Sequence, residues 1–244
     1  MRLSNLGKVI DVTTFGSTYP AVSAPIFLRP FYKALSSTVA VNMPGSGQHC
    51  DPVQLEAHFN CTAQAGTNPT ITLKAQGTND IADNKTTITT TALAAGDTSI
   101  ALTTRTGVPQ YGYALLMSAD GTKAEWVQVT SAAATGAGSH TIVRGAFGTT
   151  ATTFAASDYF VWTTSWQDIP TANATTTTLT TAAVDISTAA ASIPIKGIIS
   201  SQQLGMSSID FAIVRFVATI GGTSTPTASF TVGATLRARY ERSS

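Results

Sequence analysis

The sequence predicts an all-β protein made of antiparallel sheets. Residues 70–76 (TITLKAQ) alternate polar and apolar side chains with a period of two, which is the pattern of a strand with one buried face. Residues 230–241 repeat this alternation near the C-terminus, with apolar residues at every even position. Asp120-Gly121 stands between the β-like runs 113–117 and 125–129, as in a tight hairpin. These features favour antiparallel strands joined by short turns.

Composition favours a folded protein with an unusual surface. The chain has 244 residues, of which 43% are hydrophobic, enough for one large all-β domain or two smaller ones. Charged residues make up only 11%, compared with about 25% in an average globular domain. A surface rich in threonine, serine and alanine is suited to packing against neighbouring proteins.

The charge pattern argues against contact with nucleic acid or membrane. The net charge is +1, whereas nucleic-acid binding requires clustered lysine and arginine. No apolar run reaches the ~18 residues that a membrane span needs. Residues 1–16 also lack the continuous apolar segment of a signal peptide. We expect no direct nucleic-acid partner, no membrane partner and synthesis in the cytoplasm without export.

One cluster of residues invites a zinc hypothesis. Two thiols and two imidazoles, from Cys50, Cys61, His49 and His58, would complete a tetrahedral site. The spacing matches neither a C-x₂₋₄-C nor an H-x₃₋₅-H pair, and the alternation of residues 53–59 places His58 and Cys61 on opposite faces of a strand. We expect no metal, with the cysteines as buried or edge thiols.

The remaining strands are read from the same alternation. The predicted runs are 31–41, 52–64, 69–76, 192–199, 209–220 and 230–241, of which 209–220 is apolar on both faces. The threonine-rich stretch 175–181 fits either an exposed strand or a flexible loop.

Residues 1–30 carry Gly16, Pro20, Pro25 and Pro30 and resist regular structure. They are either an arm that reaches a neighbouring subunit or a loosely ordered segment packed on its own domain.

A long insert stands between residues 84 and 162. Its phrases LAAGDTSIALTT, LLMSADGTKAEWVQV and HTIVRGAFGTTATTFAASD resemble a small β module that recurs in tail and head accessory proteins of tailed bacteriophages. The resemblance implies a β fold and a virion context. It carries no catalytic chemistry to this chain.

The flanking segments show a second resemblance. AHFNCTAQAGTNPTITLKAQGTND, SWQDI and FVATIGGTSTPTASFTVGATLRAR are similar to the β-sandwich of phage capsid decoration, or cement, proteins. The resemblance implies a jelly-roll-like antiparallel β-sandwich with an inserted smaller β domain. In many phage sandwiches a strand such as 70–76 is followed directly by a Ser/Thr-Trp-x-Asp-Ile strand, so residues 165–169 are the predicted partner.

The predicted organisation therefore has three parts. Residues 1–30 form the N-terminal arm, residues 31–83 and 163–244 together form a discontinuous sandwich, and residues 84–162 form the inserted module. The edges of a sandwich expose unpaired strands, and this chain has few charged residues that would keep such strands from pairing with another copy. We therefore expect a homo-oligomer, a trimer or a dimer.

Motifs of catalysis are missing from the sequence. It has no Gly-x-Ser-x-Gly elbow and no glycine-rich phosphate loop, and its three histidines are widely separated. Five carboxylates near turns remain as candidates for a glycosidase pair, although nothing fixes their separation: Asp80, Asp83, Glu125, Asp158 and Asp168. We expect no enzyme activity and no cofactor.

The resemblance leads to a functional expectation. The chain is expected to be a decoration or cement protein on the capsid exterior, made in the host cytoplasm and bound to the major capsid protein. The expected anchors of this contact are one aliphatic and three aromatic side chains, Phe27, Leu28, Phe31 and Tyr32.

The alternative is a tail or baseplate accessory protein whose sandwich binds carbohydrate. Its aromatic platforms would be Trp126, Trp162 and Trp166, but each lies in an alternating pattern that favours the core.

Overall fold

The structure is a computed structural model. It describes the backbone of residues 2–23, 25–27, 31–34, 40–43, 50–80, 82–89, 92–171, 174–178, 183–192, 195–200, 211 and 213–240. Side chains are described for residues 8–23, 25–26, 56–80, 82–89, 92–169, 183–192, 195, 211 and 213–235.

The predicted all-β antiparallel sandwich class is confirmed, and no helix occurs among the described residues. The strands in chain order are β1 Arg2–Gly16, β2 Ala21–Val22, β3 Ile26–Phe27, β4 Phe31–Ala34, β5 Ala40–Met43, β6 Cys50–Thr78, β7 Asn84–Thr87, β8 Ser99–Leu102, β9 Tyr113–Met117, β10 Ala124–Val129, β11 Gly138–Ala146, β12 Tyr159–Trp162, β13 Gln167–Asp168, β14 Pro170–Thr171, β15 Ala174–Thr178, β16 Val184–Asp185, β17 Ile195–Ser200 and β18 Ile213–Tyr240.

The chain divides into two compact units. The sandwich unit comprises Met1–Arg29, Gly45–Gly77 and Gln167–Ser244, and the barrel unit comprises Pro30–Pro44 and Thr78–Trp166. Strand β7 begins at Asn84 and β12 ends at Trp162, the two limits of the insert that the sequence predicts. The exact limits of the three predicted parts stay a prediction.

Two very long strands form the centre of the sandwich unit. β6 has 29 residues and β18 has 28, and they are neighbours in an eight-stranded sheet of order β1-β18-β6-β13. β2 and β3 also pair with β18, while β16 and β17 pair with β6. Every smaller strand of this sheet therefore attaches to one of these two strands.

Both long strands bend at the same level. Gly66 has φ +99° in β6, and Gly222 has φ +127° in β18. A Cβ atom at Gly66 would lie 2.7 Å from the Cα atom of Pro226, and one at Gly222 would lie 3.0 Å from two carbonyl oxygens of β6. Only glycine meets both the positive φ and the close approach of backbone to backbone. The prediction of separate strands at 52–64 and 69–76 is therefore wrong, because both belong to β6 with a bend between them. The prediction of separate strands at 209–220 and 230–241 is wrong for the same reason, because β18 runs from Ile213 to Tyr240 as one strand.

The bend allows both halves of the β6–β18 strand pair to contribute to one core. Phe59 and Phe230 come from one half, Leu73 and Phe216 from the other, and all are 2% exposed or less. The core of this unit comprises Ile10, Ala21, Ala57, Phe59, Cys61, Ile71, Leu73, Ala75, Ile169, Ile186, Ala189, Val214, Phe216, Ala218, Ile220, Ala228, Phe230, Val232 and Ala234.

The N-terminal residues lie along β18. β1 pairs antiparallel with residues 227–238, β2 with Val217 and Ala218, and β3 with Ile213 and Val214. Ile10 and Ala21 are buried in the core of the sandwich unit. The expectation that residues 1–30 resist regular structure is wrong, because β1, β2 and β3 are strands held by pairing with β18. Of the two alternatives, the described residues fit packing on their own domain, since an edge of β18 would otherwise be unpaired.

The predicted pairing across the insert is confirmed. Gln167 pairs with Gly77 and Asp168 with Gln76, and the Ile169 amide donates to the Ala75 carbonyl at 3.1 Å. The Thr-rich stretch, left open by the sequence, is a strand as far as Thr178, and it pairs with β14.

The single strand predicted at residues 31–41 is wrong. Residues 31–34 and 40–43 are two short strands that pair antiparallel with each other, Phe31 opposite Met43 and Ala34 opposite Ala40. The sequence between them contains two serines, a residue type that favours turns over strand interiors.

The barrel unit contains a sheet that closes on itself. Its strand order is β7-β12-β9-β10-β11-β8, and the hairpin predicted around Asp120-Gly121 is confirmed as β9 and β10. An isolated bridge joins Ile88 to Leu102, with Thr103 N donating to Thr87 O at 3.0 Å. This bridge links the first strand to the last, so this part of the sheet leaves no long free edge.

The barrel has its own apolar interior. Its residues are Ile88, Leu93, Ile100, Leu102, Val108, Ala114, Leu116, Val127, Val129, Ile142, Phe154, Phe160 and Trp162. Every strand of the closed sheet except β7 supplies at least one of them, and Ile88 follows β7 directly.

The bend in β6 gives a first prediction. Gly66→Ala should lower the free energy of unfolding by about 2–4 kcal/mol, because it adds both a positive-φ penalty and a clash with Pro226. Gly136→Ala is the matched control: φ there is +69°, but no atom lies within 4 Å of the new Cβ, so about 1 kcal/mol is expected. Chemical denaturation of both variants measures the difference, and equal losses would contradict the clash.

The closed barrel gives a second prediction. A chain in which a short Gly-Ser bridge replaces residues 84–162 should keep a folded sandwich unit, because the strands on either side of the insert remain paired in β6 and β13. The isolated segment 84–162 should fold as well. Circular dichroism and thermal melting of both polypeptides test this, and a non-cooperative melt of either one would contradict it.

Candidate functional site

The structure places the backbone of three of the four predicted interface residues. Phe27 lies in β3 opposite Ile213, and Phe31 and Tyr32 lie in β4. Leu28 and the side chains of all four lie outside the described residues. Their role as anchors stays a prediction.

The zinc candidates are separated as the alternation predicts. His58 is exposed, whereas Cys61 is fully buried in the sandwich core, so the prediction of opposite faces is confirmed. Burial raises the pKa of the Cys61 thiol, which contacts the Ala63 carbonyl at 3.4 Å. No group of three potential metal ligands occurs among the described residues, and the side chains of His49 and Cys50 lie outside them.

A buried ion pair connects four segments of the barrel. Glu125 in β10 is fully buried, and Arg144 in β11 is 6% exposed. The guanidinium binds the carboxylate with two hydrogen bonds, from Nε to Oε1 at 2.7 Å and from Nη2 to Oε2 at 2.6 Å. Arg144 also donates to the Ala94 carbonyl at 2.5 Å and to the Thr152 carbonyl at 2.6 Å.

The backbone completes the surroundings of Glu125. Gly145 N donates to Oε1 at 2.9 Å and Thr152 N to Oε2 at 3.1 Å. Burial acts to raise the pKa of Glu125, but the hydrogen bonds from Arg144 and these two amides outweigh it and lower the pKa. With two donors on each oxygen, this carboxylate serves as a structural anchor that fixes the 145–152 turn region.

A second carboxylate joins the two ends of the insert. Asp83 accepts hydrogen bonds from the Thr164 amide at 2.9 Å and the Ser165 amide at 2.9 Å, and a further one from the Ser165 hydroxyl. Burial opposes ionisation of Asp83, yet the hydrogen bonds from Ser165, Thr164 and Asn84 lower its pKa. The segment that enters the barrel at Asp83 therefore lies beside the segment that leaves it at Thr164 and Ser165.

A third carboxylate holds the partner strand of β6. Asp168 accepts from Gln76 Nε2 at 2.7 Å and lies 3.0 Å from Lys74 Nζ. The other end of Gln76 accepts from Arg215 Nη2 at 2.8 Å. Burial is the main cause that lowers the pKa of Arg215, to about 10, and Asp168 partly offsets it. Asp168 thus anchors β13 to β6, and Gln76 extends the hydrogen bonds to Arg215 of β18.

The other two carboxylates cap turns. Asp158 is 7% exposed and accepts from the Ala119 and Ala155 amides at 2.8 and 2.7 Å. Asp80 accepts from the Ala82 amide at 2.8 Å. Each of the five carboxylates considered for catalysis is hydrogen-bonded to a different set of partners.

His140 is the buried histidine of the barrel. It is 2% exposed, and its Nδ1 lies 2.6 Å from the Ser131 hydroxyl. Burial, with a smaller contribution from Arg105, lowers the pKa of His140. The imidazole is therefore held neutral inside the barrel.

The outer face of the barrel carries an aromatic group. Trp126 and Gln128 alternate along β10 with core residues, so they face outward. The ring of Phe147 lies 4.6 Å from that of Tyr113 and 5.8 Å from that of Trp126. Phe147 is not among the functional residues predicted from the sequence, although an aromatic residue inside the Ala-Phe-Gly-Thr turn is a visible signal.

The tryptophans proposed as platforms occupy different environments. Trp162 is buried in the barrel core, as the alternation predicts. Trp126 is 5% exposed and packs on the outer face, and Trp166 is partly buried.

Comparison of the chain with models of known protein families and with curated proteins found no match. None of the described residues forms a helix long and apolar enough to cross a membrane.

The buried ion pair gives a third prediction. Glu125→Gln should lower the free energy of unfolding of the barrel by about 3–5 kcal/mol, because Arg144 would keep its charge in a buried site. Asp11→Asn is the control, since it removes a surface ion pair, 3.0 Å from Lys8 Nζ, in which both side chains are more than half exposed. That loss should stay below about 1 kcal/mol. Urea denaturation compares the two, and similar losses would refute the anchoring role.

Asp83 gives a prediction about pH. Because its pKa is lowered in the folded state, its stabilising effect is present above the ordinary carboxyl pKa of about 3.9 and is lost as the pH falls through the lower folded value. Asp83→Asn should therefore lower the melting temperature at pH 7, and the gap from the wild type should narrow below about pH 4. Melting curves at several pH values measure the gap, and a constant gap would contradict it.

Proposed function

We propose that this chain is a non-enzymatic structural protein of a tailed-phage virion, a decoration or cement protein that binds and stabilises the head shell. The observation that carries the proposal is that three carboxylates make structural hydrogen bonds. Glu125, Asp83 and Asp168 each accept hydrogen bonds that hold separate segments of the chain together. This arrangement supports a rigid scaffold, and the two resemblances supply the virion context.

The surface also suits association with other proteins. With 11% charged residues, little charge must be desolvated when a face of the sheet is covered. A contact that stabilises a shell must bury on the order of 1,000 Å² or more in total. The sandwich unit offers such an area, because its two central strands run for 29 and 28 residues.

The partners follow from this proposal. The major capsid protein of the same virion is the binding partner, and the chain lies on the capsid exterior as a homo-oligomer, a trimer or a dimer. β1 forms an edge of the eight-stranded sheet, and an edge strand is a ready site for association between copies. Phe27, Leu28, Phe31 and Tyr32 remain the proposed anchors.

The test is the stability of the shell with and without this protein. Capsids lacking it should break at a lower temperature, and adding back the purified protein should restore the original value. The double variant Phe31→Ala and Tyr32→Ala should cosediment at least about tenfold more weakly, as expected for the loss of interface hot spots. Cosedimentation and light scattering during heating measure both effects.

The control variant is Phe147→Asn, which alters an exposed position of the barrel and should cosediment like the wild type. Circular dichroism of each variant confirms that binding losses are not caused by unfolding. Unchanged cosedimentation of the Phe31 and Tyr32 variant would reject these anchors. Location of the protein at the tail alone would reject the capsid assignment.

A further inference from the structure

Two large apolar side chains are exposed among the described residues, and both lie on the same part of the barrel. Val143 is 50% exposed and Phe147 is 43% exposed. Val143 pairs with Gln128 of β10, which in turn pairs with Tyr113 of β9. Cross-strand partners share one face of a sheet. Val143, Gln128, Tyr113 and Phe147 therefore form one patch, here called the Phe147 patch.

The backbone at Phe147 is strained. Residues 146–149 form a turn in which the Thr149 amide donates to the Ala146 carbonyl at 3.2 Å. Both central residues have positive φ, 57° at Phe147 and 74° at Gly148. Such turns favour Asn, Asp or Gly at the first central position, and a bulky residue there is an outlier. Backbone strain of this kind is concentrated at functional sites.

The strained turn exposes the Phe147 ring to solvent and places it next to the rings of Tyr113 and Trp126. The ring planes of Phe147 and Tyr113 are tilted by 46°, and Trp126 meets Phe147 edge to face at 65°. Trp126 itself is almost fully buried beneath the patch. Gln128 and Tyr113 are partly buried, and burial raises the pKa of the Tyr113 phenol. The surface thus combines the exposed Phe147 ring and Val143 methyl groups with the partly exposed side chains of Gln128 and Tyr113.

We propose that the Phe147 patch binds a neutral carbohydrate, with one pyranose ring stacked on Phe147. The carbon-bound hydrogens of a sugar ring pack against an aromatic face, while its hydroxyls exchange hydrogen bonds with amide and phenol groups. The four side chains of the patch are uncharged at neutral pH. The buried charges in β10 and β11, Glu125 and Arg144, form an ion pair with each other. A neutral ligand matches this surface better than an acidic one.

Size favours a sugar over a protein. A specific protein interface takes about 20–30 residues from each side, whereas the patch has four side chains. One or two sugar rings cover a surface of that extent. This proposal does not rest on the capsid assignment, because a virion protein at any location can carry such a site.

The test is an NMR titration of the full-length, ¹⁵N-labelled protein with maltotriose, mannotriose, galactotriose and triacetylchitotriose. At least one should shift the amide signals of residues 113, 126–128 and 143–149 in a saturable manner. Phe147→Asn should weaken that binding about tenfold, the effect of one lost aromatic contact. Its melting temperature should be equal or higher, because asparagine suits the turn. Ala95→Asn, at another exposed turn of the barrel, should bind like the wild type.

Several results would overturn the proposal. These are no saturable shift with any of the four trisaccharides, or unchanged binding by Phe147→Asn. A lower melting temperature of Phe147→Asn with unaltered sugar affinity would make Phe147 a packing residue only. Concentration-dependent sedimentation that Phe147→Asn abolishes, without sugar binding, would assign the patch to self-association. If Phe147→Asn does not fold, Val143→Thr replaces it and should weaken binding severalfold, and unchanged affinity would again refute the site.

Discussion

The antiparallel pairing of β6 with β18 is the constraint on which the sandwich unit depends. Hydrogen bonds on both sides of the bend keep β6 and β18 in the same register, from Arg215 with Gln76 to Ser229 with Thr62. A slip of one residue would exchange the buried and exposed faces of both strands. The glycines at the bend fix the level at which the ribbon turns, so the two halves bury their apolar faces in a single core.

The barrel depends on a different device, a charge placed where water is excluded. A buried carboxylate is costly unless donors surround it. Glu125 has four such hydrogen bonds, two from Arg144 and two from backbone amides. The same turn region holds Phe147 in its strained conformation through Thr149. The Thr149 hydroxyl donates to the Ala146 carbonyl at 2.7 Å and accepts from the Trp126 amide at 3.1 Å. The anchor inside the barrel thus supports the patch outside it.

Much of the fold was readable because alternation reports directly on burial. Residues 70–76 and the strand 113–117 are strands in the structure, and SWQDI pairs with β6. Alternation does not report where a strand ends, which explains three errors. Residues 52–64 join 69–76 in β6, and residues 209–220 join 230–241 in β18, through bends that need glycine at a close approach. Residues 31–41 split into two strands that pair with each other.

The sequence by itself determined the all-β class, the hairpin at Asp120-Gly121 and the opposite faces of His58 and Cys61, because these follow from the local period of two. Tertiary structure decided how the N-terminal residues lie along β18, that the six-stranded sheet closes, and which carboxylates become anchors. It also decided the Phe147 patch, which joins three strands and a turn. These features depend on contacts between residues 14 to more than 200 positions apart, and a local pattern carries no information about such distances.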